Sequence, residues 1–271
     1  MIKFFRRIRL KLFWEGNNGK SSLPAARYLK YALGEIILVV IGILIALSIN
    51  NWNQDRIESK KEKLVLNDLI VDLKEQSNVL ETYIEIESNY YKNGKDILNY
   101  YASNQTFAGD DSIYAKLTLL TARKTFNPIR TTFEEVISTG TIGILHNKST
   151  RRKIIQYYNE LERISMVIRN NNIHIIDAIY QPKILEQVFY IKDASDVEFN
   201  EINSTIFDYK SLNELRNTSE HVISVNENTL HIFNILEQRT LIAKSHLDTY
   251  LALKIETESL LSEIKLQIKE P

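Results

Sequence analysis

The longest apolar run in the sequence extends from Tyr31 to Ile49. Between Ile36 and Ile49 it contains eleven Leu, Ile and Val residues, and its only charge is Glu35. As a helix, these nineteen residues span about 28 Å, close to the ~30 Å hydrocarbon thickness of a bilayer. Tyr31 and Trp52 place aromatic residues at both ends, as is typical of membrane interfaces. The pattern therefore predicts one transmembrane helix over 31–49.

Two alternatives for this run are a buried core helix and a cleaved signal peptide. A core helix usually carries only 10 to 14 consecutive apolar residues and does not require aromatic residues at its ends. A signal peptide has a short basic start, whereas about thirty residues precede this run and Glu35 lies at its beginning. An uncleaved signal anchor explains both features.

Beyond Trp52 the apolar residues recur every three or four positions in three long stretches, which is typical of amphipathic helices. The predicted helices extend to about Tyr101, from Ser149 to Ile179, and from about Thr218 to Lys269. Polar residues or glycine interrupt the stripes at Ser77, Glu87, Gly94, Ser165, Asn172, Lys254 and Thr257. Stripes of this length need partners, so we expect an all-α fold: one N-terminal transmembrane helix followed by an elongated antiparallel helical bundle. Whether residues 186–208 contain a short strand stays an open question at this point.

Local signals predict the shorter elements. Asp110 or Asp111 begins a helix through Arg123, and Thr131 with Glu134 forms a capping box that opens a helix closed by Gly140. A second T/S-x-x-E pattern joins Ser211 to Glu214, and Pro182 predicts a kink or an end in the helix that contains it.

Charge is distributed very unevenly along the chain. Eight basic residues and one acid precede the apolar run, whereas 26 basic and 32 acidic residues follow it. The positive-inside rule therefore assigns residues 1–30 to a basic cytoplasmic segment, 31–49 to the membrane and 50–271 to an extracytoplasmic helical domain. Residues 1–14 either form an amphipathic helix on membrane lipid or only set the topology. The absence of cysteine is compatible with either redox compartment.

Two groups of residues are candidate contact surfaces. Glu35, Gly42 and Ala46 lie within about 60° on the transmembrane helix, at 100° per residue, and are candidates for membrane helix association, with a second copy or a partner membrane protein. The alternative is a lone helix in which Glu35 reaches the headgroups. The second group is the loop with Gly140 and Gly143, beside two cations at a helix start, Arg151 and Arg152, and it is a candidate partner surface.

No catalytic, cofactor or metal motif is found in the sequence. The five histidines form no short ligand pair, and His174 with Asp177 is a spacing that chance readily produces. The acidic region after the apolar run argues against nucleic acid. We therefore expect a non-enzymatic, membrane-anchored interaction or scaffold protein. The alternative is a ligand-sensing helical domain that signals through a partner membrane protein; the sequence identifies no small-molecule ligand.

Two blocks of sequence resemble a known family. The run GEIILVVIGILIALSINNWN, from Gly34 to Asn53, with the basic start MIKFFRRIR, resembles an uncharacterised bacterial family of single-pass membrane proteins, classed as a domain of unknown function. The stretch from Thr131 to Glu162 is similar to the second recurrent block of that family. The resemblance implies location and architecture alone: a bacterial inner membrane, a cytoplasmic N-terminus and a periplasmic helical domain.

Overall fold

The computed structural model describes residues 24–189 and 212–269, and every regular element in these two ranges is helical. The predicted all-α class is therefore confirmed. The predictions for residues 1–14, for Ser211 and for a strand within 190–208 lie outside the described residues. The helices are α1 (Pro24–Asn104), α2 (Asp111–Leu119), α3 (Thr131–Ser138), a 3-10 helix (Thr141–Ile144), α4 (Lys148–Asn171), a π-helix (Asn172–Tyr180), α5 (Gln181–Gln187), α6 (Asn213–Ser224) and α7 (Asn226–Lys269).

The chain divides into two compact units, residues 1–60 and 61–271. The first unit contains the N-terminal part of α1, including all of the predicted transmembrane stretch. The most apolar 18-residue window of α1 has a mean hydropathy of 2.7, and 0% of that window is buried. Among the described residues, one helix is long and apolar enough to cross a membrane, and it is the helix that contains this window. This finding is compatible with the predicted anchor.

The second unit is built on three long helical segments. The part of α1 from residue 61 runs antiparallel to α7, because residues later in α1 contact residues earlier in α7. Helix α4 is also antiparallel to α7 and therefore parallel to α1. The contacts that fix these directions are Ser77–Glu258, Glu87–His246, Thr150–Glu263, Tyr157–Thr257 and Asn171–His246.

Two apolar clusters form the core of this unit. The first joins α1 from Leu66 to Leu80 with α3, α4 and the C-terminal half of α7. The second joins α1 from Tyr90 to Ile97 with α2, α5, α6 and the N-terminal half of α7. Helices α1 and α7 contribute to both clusters, so the apolar stripes of α7 and of the α1 segment from residue 61 are buried along most of their length, as the 3.6-residue period predicts.

The last predicted helix is interrupted. The periodicity predicts one helix from about Thr218, whereas α6 begins at Asn213 and ends at Ser224, and α7 begins at Asn226. Val225 is extended, with φ −68° and ψ 125°. The Asn228 amide donates to the carbonyl of Val222, and the Thr229 hydroxyl donates to that of Ile223. These two side chains satisfy carbonyls at the end of α6, which stabilises the break.

Pro182 does not end the helical run, so of the two predicted outcomes, a kink or an end, the end is wrong. The chain stays helical to Gln187 because α4 widens into a π-helix before the proline. The N–H of Gln181 donates to the carbonyl of Ile176, five residues back, as π geometry requires. Pro182 is thus the second residue of α5, a position in the first turn where proline is tolerated.

The short helices begin as predicted, but one cap is different. Asp110 caps α2 by accepting from the N–H of Ser112, although α2 ends at Leu119 and not at Arg123. The predicted capping box at Thr131 is wrong, because the N-cap residue of α3 is Arg130. The carboxylate of Asp72, on α1, accepts from the Thr132 N–H at 2.8 Å instead. A tertiary contact thus replaces the local one.

Candidate functional site

The connection between α2 and α3, residues 120–130, packs against the core of the second unit and buries the side chains of Leu120 and Phe126. Its Phe126 side chain is only 1% exposed and packs against Tyr83 and Tyr250, with ring centroids 5.5 and 5.3 Å away. Because this segment is neither helix nor strand, its buried backbone groups need partners from elsewhere.

Side chains from α1, α4, the π-helix and α7 supply those partners. Ser165 and Asn172, two of the polar interruptions noted in the sequence, donate to carbonyls of the connection. The interruptions are therefore binding positions for the connection and not weak points in the helices. The contacts are Arg239 Nε to Leu120 O (3.0 Å), Arg239 Nη2 to Ala122 O (3.2 Å), Asn172 Nδ2 to Lys124 O (2.8 Å), Tyr83 OH to Thr125 O (2.6 Å), Ser165 Oγ to Phe126 O (3.0 Å) and Ile129 N to Gln76 Oε1 (2.7 Å).

A buried polar triad, Glu87, Arg239 and His246, lies beside this connection. The three residues are 3%, 0% and 2% exposed. His246 Nδ1 is 3.4 Å from Glu87 Oε1, and Asn171 Nδ2 is 3.1 Å from His246 Nε2. The Asn171 amide donates to Nε2, so Nδ1 carries the proton and donates to the Glu87 carboxylate.

Glu87 and Arg239 balance each other's charge inside the domain. Burial lowers the pKa of Arg239, and the nearby Glu87 carboxylate opposes that shift. The guanidinium also lies 4.8 Å above the Tyr90 ring, a cation–π contact. Burial raises the pKa of Tyr180 and Tyr250, so both phenols stay neutral. The triad has almost no exposed surface, and within it Arg239 is the residue that bonds the connection.

The residues proposed for membrane helix association lie in the first unit. Glu35, Gly42 and Ala46 are all exposed on α1. A Cβ built on Gly42 would meet no atom of the described residues within 4 Å. Gly42 is therefore open to close approach by another helix, and the association face stays a prediction.

The predicted partner surface is brought together at the start of α4. Gly140, Gly143 and Arg152 are exposed, and Arg151 is half-buried. Gly140 has φ +69°, a left-handed conformation that glycine adopts without strain, and it follows the end of α3 as predicted. The backbone N–H and the ring of His146 contact Glu62 on α1 at 2.9 and 2.7 Å. The loop is thereby held against α1, and its role as a partner surface stays a prediction.

Asp177 and a shallow surface depression are two further features of the second unit. Within residues 24–189 and 212–269, no group of three or more His, Asp or Glu residues is placed to hold a metal ion. Asp177, which the sequence pairs with His174, is bound through both oxygens by Arg123 at 2.6 Å. A shallow depression of about 320 Å³ is bordered by Tyr101, Asn226, Thr229, Leu230 and Phe233. The Tyr101 ring stacks on Phe107 at 4.6 Å, so packing already uses it.

Sequence reasoning noted Glu87 only as an interruption and did not select Arg239. A usable signal exists, because each residue places a formal charge on the apolar stripe of its own helix. Burial of a charge requires a partner of opposite sign. Two charges of opposite sign on the core faces of two long helices therefore predict a buried pair.

The described chain thus defines a helical protein with one candidate membrane-spanning helix and a separate helical domain. Its residues 35–223 match the model of a family described as a family of unknown function (DUF6090), and the chain belongs to that family. The resemblance to an uncharacterised family is thereby confirmed. No curated protein and no solved structure matches the chain.

Proposed function

We propose that this protein is a non-enzymatic, membrane-anchored interaction or scaffold protein of the bacterial inner membrane. Its N-terminus lies in the cytoplasm and its helical domain lies in the periplasm. One observation carries the proposal: the apolar segment that exposes its side chains belongs to the same helix, α1, that contributes to both clusters of the domain core.

Transfer energies support insertion of this segment. Eleven Leu, Ile and Val residues contribute roughly −3 to −7 kcal/mol, against about +3 kcal/mol for a charge at the helix centre. Glu35 lies near one end of the apolar run, where a charge costs less because its side chain reaches the interface. The net free energy therefore favours the membrane.

The topology is tested by labelling single cysteines, because the natural chain has none. Ser22→Cys precedes the apolar run, and Ser245→Cys is an exposed position on α7. In intact spheroplasts we expect a membrane-impermeant maleimide to label Ser245→Cys and not Ser22→Cys, with both labelled after permeabilisation. The reverse pattern contradicts the orientation, and release of the protein by alkaline carbonate contradicts the anchor.

We propose that the partner contacts α1 inside the membrane, through the face formed by Glu35, Gly42 and Ala46. This partner is a second copy of the chain or another membrane protein. Small residues allow close backbone approach, and a carboxyl group in the membrane is stabilised by a polar partner.

This face is tested by in-cell crosslinking with a photoreactive residue at Ala46. Leu44, at nearly the same depth, points to the opposite side of the helix and is the matched control. We expect a discrete adduct from Ala46, identified by mass spectrometry, and little or none from Leu44. Equal adducts from both positions, or none from either, would contradict the proposed face.

A ligand-sensing domain remains the alternative function. It would use the depression bordered by Tyr101 and Phe233. Their rings lie 5.5 Å apart, and Tyr101 also stacks on Phe107, so the aromatic surface is already largely engaged. We therefore favour the scaffold function.

A further inference from the structure

One end of the second unit combines the beginning of the α1 segment, the beginning of α4 and the end of α7. Because α1 and α4 are parallel and α7 is antiparallel to both, these three termini meet. Glu62 accepts from the His146 N–H and from Gln267, at 2.9 and 3.3 Å, and Thr150 donates to Glu263 at 3.2 Å. The basic end, as we name it, comprises Lys61, Lys63, Lys148, Arg151, Arg152, Lys153 and Lys265.

The basic end is positive within a unit that is negative overall. Residues 61–271 contain 24 basic and 30 acidic residues. Among the described residues of the second unit, the acidic residues interspersed with the seven cations are Glu62, Asp68 and Glu263. Glu62 is already bonded to His146 and Gln267, and Glu263 to Lys153 at 2.5 Å. The cations at this end thus outnumber the carboxylates, two of which are engaged within the domain.

Helix stability does not explain where these cations lie. Lys148, Arg151, Arg152 and Lys153 fall within the first six residues of α4, whose first turn contains no acidic residue. The positive end of the helix dipole repels cations, and proteins usually place Asp or Glu there. Asn147 caps the helix through the N–H groups of Ser149 and Thr150. An anionic partner outside the domain would account for this arrangement.

Two leucines at the same end are exposed. Leu64 is 64% exposed next to Lys63, and Leu266 is 63% exposed next to Lys265. Cations mixed with exposed large apolar side chains are typical of surfaces that lie on anionic bilayers. The basic groups contact phosphates, and the apolar side chains enter the boundary with the acyl chains.

We infer that the basic end docks on anionic lipid headgroups of the bilayer that holds α1. The inference rests on the proposed membrane anchor. Lys61 is twelve residues beyond Ile49, a distance of at most about 43 Å even for a fully extended chain, so the anchor keeps this end near the bilayer. The surface predicted for a partner, with Arg151 and Arg152, belongs to the basic end, and its ligand is a phospholipid surface.

The test uses the full chain in nanodiscs of phosphatidylcholine alone or with 30% phosphatidylglycerol, each with a headgroup-labelled acceptor lipid. A donor dye is attached to Ser149→Cys at the basic end or, as the matched control, to Ser224→Cys at the end of α6; both serines are exposed. We expect energy transfer from position 149 to rise about threefold with the anionic lipid and to fall again in ~1 M salt, where the Debye length is about 3 Å. Transfer from position 224 should not change.

The charge requirement is tested with two triple variants of equal charge loss. Lys148→Gln/Arg151→Gln/Arg152→Gln should abolish the effect of phosphatidylglycerol, whereas Lys74→Gln/Lys92→Gln/Lys95→Gln, with exposed lysines elsewhere on α1, should retain it. A chain that enters the discs but shows no dependence on phosphatidylglycerol overturns lipid docking and leaves the anchor intact. Failure to enter discs of either composition overturns both. Crosslinking of position 149 to an acidic membrane protein in cells, without lipid dependence, would assign the surface to a protein.

Discussion

Replacing Arg239 by methionine should destabilise the helical domain by about 3–5 kcal/mol, the usual cost of removing one member of a buried charge pair. The guanidinium is 0% exposed, and it donates to the carbonyls of Leu120 and Ala122. Methionine keeps the length and apolar contacts of the side chain but removes both donors and the charge. Glu87, only 3% exposed, then loses the nearby positive charge. Urea unfolding of the detergent-solubilised full chain, followed by circular dichroism, measures the change.

A double-mutant cycle separates charge balance from packing. Glu87→Gln/Arg239→Met removes both buried charges, so its loss of stability should be smaller than the sum of the two single losses. Lys244→Met is the matched control, because the Lys244 side chain is 41% exposed on the same helix and its replacement should cost less than about 0.5 kcal/mol. A loss below about 1 kcal/mol for Arg239→Met would show that the guanidinium does not hold the buried connection.

Replacing Gly94 by alanine should also destabilise the domain, by about 1–3 kcal/mol. In an ordinary helix the same change would stabilise by about 1 kcal/mol, because alanine has the higher helix propensity. Here the new Cβ would lie 2.2 Å from Thr240 Oγ1 and 2.9 Å from Thr240 Cγ2. Helices α1 and α7 approach each other too closely at this point for a side chain on both. Urea unfolding of the detergent-solubilised full chain, followed by circular dichroism, shows whether the free energy of unfolding rises or falls.

The overlap can be relieved from the other helix. Thr240→Ala removes both clashing atoms and loses only the bond from the Thr240 hydroxyl to Leu236 O within α7. The double variant Gly94→Ala/Thr240→Ala should therefore be more stable than Gly94→Ala alone. Gly143→Ala is the control, since its Cβ would meet no atom of the described residues within 4 Å. If Gly94→Ala stabilised the domain, the close approach of α1 and α7 would be contradicted.

Local rules succeeded where the local sequence determines the outcome. The 3.6-residue period placed α1 through Tyr101, and the helix ends at Asn104. Asp110 caps α2, and Gly140 follows α3 in a left-handed conformation. The rule failed at the start of α3, where the predicted capping box joined Thr131 to Glu134. The observed bond instead runs from the Thr132 N–H to Asp72, 60 residues away. At Val225 the periodicity continues, but two side chains of α7 bond carbonyls at the end of α6 and stabilise a break.

The sequence by itself determined the all-α class, the exposed apolar segment and the long amphipathic helices, because the spacing and length of apolar residues set these features directly. It also marked Glu87, Gly94, Ser165 and Asn172 as exceptions within the stripes. Only the tertiary structure decided what these exceptions do, since their partners are distant in the chain: Glu87 and His246 are 159 residues apart, and Arg239 is 119 residues from Leu120. The basic end likewise forms only in the tertiary structure. Cations from three separate parts of the chain become one surface only when α1, α4 and α7 pack side by side.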